Sequence, residues 1–88
     1  MTDATTNDPT ALALRALAAT LADQRLAERF LSLSGIDPPD LRQRAADPAL
    51  LVALLDFLEA HEPDLIAVAE EVGVKPDVLV GARRELEQ

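Results

Sequence analysis

Six prolines constrain what this chain of 88 residues can fold into more than any other feature, because each stands where a helix can begin. Proline lacks the backbone N–H that the first helical turn leaves unpaired anyway, and its fixed φ suits that turn; inside a helix it costs about 3 kcal/mol. Asp8-Pro9, Asp37-Pro38-Pro39 and Asp47-Pro48 each place a capping acid directly before a proline. Glu62-Pro63 and Lys75-Pro76 repeat the arrangement with poorer caps, and no proline remains to interrupt a helix. Gly35 and Gly73 sit where two amphipathic stretches end, as left-handed C-terminal caps do.

These signals predict helices at 9–22, 24–34, 38–46, 48–61, 63–72 and 76–86, joined by short loops. No alternating β pattern, internal repeat or low-complexity tract competes with them. The fold class expected is all-α: a compact array of about six short helices in one domain spanning 9–88, with 1–8 a disordered polar tail. Hydrophobic residues form 49% of the chain and aromatics only 2%, so the core has to be built from Leu, Ala and Val. Helical spacing predicts buried stripes at Leu14, Leu17 and Leu21, at Leu26, Phe30 and Leu33, and at Leu65, Ala69 and Val72. The widest apolar face, Leu50, Leu51, Leu54, Leu55, Phe57 and Leu58, marks the fourth helix as the centre.

Charge and residue inventory narrow the function classes. Sixteen acidic against eight basic residues give a formal charge of −8, a field that repels nucleic-acid backbones and anionic membranes. With no cysteine there is no disulfide, thiolate metal site or Cys nucleophile. The N-terminal MTDATTN lacks the basic and apolar regions of a signal peptide, and the longest strongly apolar run, 49–55, is far shorter than the ~20 residues of a membrane helix. The chain is therefore expected in the cytoplasm.

Little is left for catalysis. The single histidine, His61, is expected on the apolar side at the end of the fourth helix, where it would bond orphan carbonyls and complement the helix dipole. Asp56 and Glu59 share a face opposite the leucines and are expected to be solvated. There is no calcium loop, phosphate loop or GxGxxG motif. No enzyme, no catalytic residue, no metal, no cofactor and no small-molecule ligand are expected.

Two stretches carry sharper readings. Ala69, Gly73, Val74, Leu79 and Ala82 have the spacing of a helix-turn-helix, which makes DNA binding through 65–86 the alternative function. Against it, Lys75, Arg83 and Arg84 are outnumbered by Glu70, Glu71, Asp77, Glu85 and Glu87, and Asp77 would face phosphates. The first helix, TALALRALAATLA, is apolar all round, with Leu12 opposite the Leu14, Leu17, Leu21 stripe and Arg15 its only charge. Such a helix is either buried on several sides or covered by a partner, and both readings stand. Val52 and Val80 also fall off their helices' main faces. The expected function is a small non-enzymatic protein–protein interaction module, binding another protein or itself through a surface around Leu12, Arg15 and Val52.

The succession Leu14-Arg15-Ala16-Leu17, Arg29-Phe30-Leu31, Gly35, Leu41-Arg42, Asp47-Pro48, Asp56-Phe57-Leu58, Glu62-Pro63, Ala69, Gly73 and Ala82-Arg83 resembles a family of small alphaproteobacterial proteins, the domain of unknown function 3572. The resemblance spans about residues 9–86 and implies a bacterial cytosolic protein. It implies no activity and no catalytic or binding position. Lys75 departs from it by standing where a better helix cap would be expected.

Overall fold

A computed structural model describes residues 8–88, and the tail expected at 1–8 lies outside them except for Asp8. Six helices follow one another: α1 Pro9–Ala22, α2 Gln24–Ser34, α3 Pro38–Gln43, α4 Pro48–Glu59, α5 Glu62–Val72 and α6 Pro76–Leu86. No strand occurs among the described residues. The expected starts are met to within one residue, and every proline lies in the first two positions of its helix. Two ends come early. Gln43 closes α3 before a turn at 44–46, and α4 stops at Glu59.

The caps are closed by different residues than the prolines advertise. Of the three Asp-Pro pairs, only Asp47 accepts a backbone bond, from the Ala49 N–H at 3.0 Å; the Asp8 and Asp37 carboxylates accept none. Behind Asp37 the chain offers Pro38 and Pro39, neither of which has an N–H to give. Asp23, which no proline follows, accepts from both Arg25 N–H at 3.0 Å and Leu26 N–H at 3.2 Å and so starts α2 immediately after α1 ends. At the other ends Gly35 (φ 72°) and Gly73 (φ 90°) adopt the left-handed conformation expected of them. Gly73 N–H and Val74 N–H both donate to the Ala69 carbonyl, at 2.8 and 3.0 Å, which reverses the chain into α6.

One core unites all six helices. α1 packs on α2, α4, α5 and α6, and α4 packs on α1, α2, α5 and α6, so the centre is a crossing of two helices rather than α4 alone. From α4 come Leu50, Leu51, Leu54, Leu55 and Leu58, as the wide apolar face predicts, with Phe57 only half-buried. The α5 stripe Leu65, Ala69 and Val72 is buried and is widened by Val68.

The stripes of the first two helices need correction. The buried face of α1 is Leu12, Ala13, Ala16, Leu17 and Thr20, while Leu14 is half-buried and Leu21 is 38% exposed. Alanines let neighbouring helices approach closely, so they define the inner face where a reading by leucines does not. In α2, Leu26 and Phe30 are buried but Leu33, in the last turn, is 74% exposed.

Candidate interaction surface

The three residues expected to form a partner surface differ in exposure: Leu12 is buried, Arg15 exposed and Val52 half-buried. Leu12 is only 3% exposed and belongs to the core, which corrects the reading of this side chain as an exposed contact. Four other helices pack on α1 and bury the Leu12 side, while Ala18 and Leu21 on the same helix stay exposed. Arg15 is exposed, but its guanidinium donates to the Val72 carbonyl at 3.0 Å and closes the C-terminal end of α5. Val52 is half-buried on α4, as Val80 is on α6.

His61 is likewise displaced from its expected role. Because α4 ends at Glu59, the histidine becomes the extended residue before α5; it is exposed, and its side chain caps nothing. Ser32 and Ser34 are exposed on α2.

Asp56 and Glu59 are not simply solvated. Arg83 of α6 donates through Nε to Glu59 at 2.5 Å, lies 3.3 Å from the Asp56 carboxylate, and donates through Nη1 to Glu87 at 2.8 Å. The hydrogen bond to Glu59 is the main reason its pKa rises above the ordinary guanidinium value, with the charges of Glu59, Glu87 and Asp56 adding to the rise and desolvation opposing it. This cluster ties α6 to α4. It also removes one of the three cations on which a helix-turn-helix at 65–86 would rely, leaving Lys75 and Arg84 exposed beside an exposed Asp77.

A second polar tie joins α2 to α5. Arg29 Nη1 donates to Asp64 Oδ2 at 2.8 Å, which satisfies the one buried carboxylate among the described residues. The same guanidinium lies 5.3 Å from the centre of the Phe57 ring, and Phe57 meets Phe30 edge-on at 5.4 Å. Thr20, fully buried, donates to the Ala16 carbonyl at 2.8 Å. No buried side-chain nitrogen or oxygen lacks a partner among the described residues.

What the molecule does present is apolar surface. Leu21, Leu33 and Ile66 are the large exposed hydrophobic side chains among the described residues. Leu21 borders a groove of about 370 Å³ between α1, α2 and α3, whose walls include Leu17, Leu31 and Leu41. Leu33 borders a shallower one of about 300 Å³ between α2 and α4, floored by Phe30, Phe57 and Ala53. Sequence reasoning placed Leu21 and Leu33 in the core; their positions in the final turns of α1 and α2 are the signal that could have set them apart. No described helix is long and apolar enough to cross a membrane.

Residues 6–88 match the model of the family described as Protein of unknown function (DUF3572). No curated protein and no solved structure matches the chain.

Proposed function

We propose that this chain, which belongs to the DUF3572 family, is a small non-enzymatic protein–protein interaction module of the cytoplasm. The observation that carries the reading is the contrast between interior and surface. Inside, every buried polar side chain is satisfied and every helix has its core contacts. Outside, leucines stand free beside apolar grooves at two separate helix ends. A side chain such as Leu33 adds nothing to the core of its own chain, and burying an exposed leucine against a partner gains roughly 1.5 to 3 kcal/mol. The lack of cysteine fits a compartment in which small domains hold together by packing alone.

Photo-crosslinking in the native cell tests this. A photoreactive amino acid is placed at residue 21, 33 or 66, with buried Leu58 as the control. A discrete protein adduct from one of the three surface positions, absent from the control, is expected. A monomer in light scattering that yields no adduct from any of the three overturns the proposal.

A further inference from the structure

Resting on the reading of the chain as an interaction module, we infer that the groove between α1, α2 and α3 receives an amphipathic helix of another protein carrying a carboxylate beside its apolar stripe. The walls are Leu17 and Leu21 from α1, Leu31 from α2, and Leu41 and Ala45 from α3 and the turn after it. With about 370 Å³ between them, there is room for apolar side chains entering from outside. α3 leaves this space because it is short and approaches the other helices more sparsely than any other element, with Leu41 its only buried residue. The described residues offer no sheet edge for a strand to join, so a helix laid into the groove is the mode of recognition that fits. Its contacts would repeat at i, i+3 or i+4, and i+7.

The charge of the rim selects the partner. Arg42 is the one charged residue lining the groove. Arg15, Arg29, Arg44 and Arg83 are each engaged, with the Val72 carbonyl, Asp64, Asp47 and the Asp56, Glu59, Glu87 cluster respectively. Arg42 is exposed and takes part in no hydrogen bond or ion pair among the described residues. A carboxylate on the incoming helix finds at Arg42 a free cation on a chain whose formal charge is −8. As the one charge among otherwise apolar walls, Arg42 fixes where along the groove that carboxylate sits, so the ion pair sets orientation as well as strength. The same formal charge works against a second copy as the occupant, since two such surfaces repel each other.

The test uses the isotope-labelled full chain and two helical probe peptides, identical leucine-striped sequences that differ only in Glu or Lys beside the central leucine. At low salt the Glu peptide is expected to shift the amide signals of Leu17, Leu21, Leu31 and Arg42 and to bind about three- to fivefold more tightly than the Lys peptide, the range of one surface ion pair. Arg42→Glu should invert that order, and Arg42→Gln should abolish it. Equal affinities for both peptides, unaffected by residue 42, overturn the inference, and so do shifts confined to the Leu33–Phe57 groove or self-association through the same residues. Crosslinking separates this from the broader reading. An adduct from residue 33 or 66 but not from 21 ends the inference while the module stands, whereas silence at all three positions ends both.

Discussion

At the scale of single residues, Leu12 and Leu33 make the sharpest contrast: two leucines in helical sequence, one 3% and the other 74% exposed. Truncating a buried leucine loses its transfer energy and leaves a cavity, so Leu12→Ala should cost about 2 to 5 kcal/mol in urea unfolding. Leu33→Ala should stay within about 0.5 kcal/mol. Similar losses at the two positions would contradict the packing of α1. Neither assignment was legible in the sequence, for a physical reason. A helix apolar on every side has no phase for its periodicity to report, and what fixed the inner face of α1 was the small size of Ala13 and Ala16. Arg83 was hidden differently, because its partners Asp56 and Glu59 lie more than twenty residues away and are brought to it only by the packing of α6 on α4. Its raised pKa means that folding favours the charged form. The contribution is therefore complete below the unfolded-state value and is lost only as pH climbs through the higher folded one, beyond the range where Arg titrates in ordinary use. Arg83→Gln leaves three carboxylates facing each other without a cation. Its thermal midpoint should fall below that of the parent at low salt and recover part of the difference as salt is added.

At the scale of the element, the sequence was most legible where backbone chemistry alone decides. Proline cannot occupy a helix interior at acceptable cost, so five of the six helix starts could be read directly from it, whereas the caps could not: Asp23 closes α2 without any proline to announce it, and Asp37 is followed by two residues with no N–H to offer. The glycines test the same distinction. Gly73 holds φ 90° at the end of α5, and a Cβ there would touch nothing within 4 Å, so any penalty on substitution is conformational and not steric crowding. Gly73→Ala should therefore cost about 1 to 2 kcal/mol, with Gly73→Asn milder. Gly81 lies inside α6 with equally open space around it, and there Gly81→Ala should stabilise by about 0.5 to 1 kcal/mol. Opposite signs at two alanine substitutions eight residues apart are readable in one pair of denaturation curves. α3 is the element to which local signals were least adequate. Its start was plain at Pro38, but only the three-dimensional arrangement shows that a six-residue helix anchored by Leu41 leaves a groove beside it.

At the scale of the whole molecule, charge is the quantity that the fold has to live with. The chain has a formal charge of −8, most of it within the described body of 37 × 26 × 21 Å, and this mutual repulsion opposes compaction. Apart from the exposed local pair of Arg44 with Asp47, two groups of ion pairs work the other way between helices, Arg29 with Asp64 and Arg83 with Asp56 and Glu59, Glu87 adding a third acid from its own end of the chain. Salt weakens both effects, and distance decides which it weakens more. The Debye length is about 10 Å at 0.1 M, so repulsion between charges on opposite faces is largely screened. The pairs span 2.5 to 3.3 Å, well inside that length, and are also hydrogen-bonded except at Asp56. Exposed pairs of this kind contribute only about 0 to 1 kcal/mol each in any case. The balance falls on the side of the long-range term. The thermal midpoint should therefore rise as sodium chloride is raised from about 0.01 M, where the screening length is about 30 Å and spans most of the molecule, to about 0.15 M. A midpoint that fell over the same range would mean that the ties between α2 and α5 and between α4 and α6 outweigh the surplus charge. Those two contacts would then rank with the leucine core in holding the helices in register.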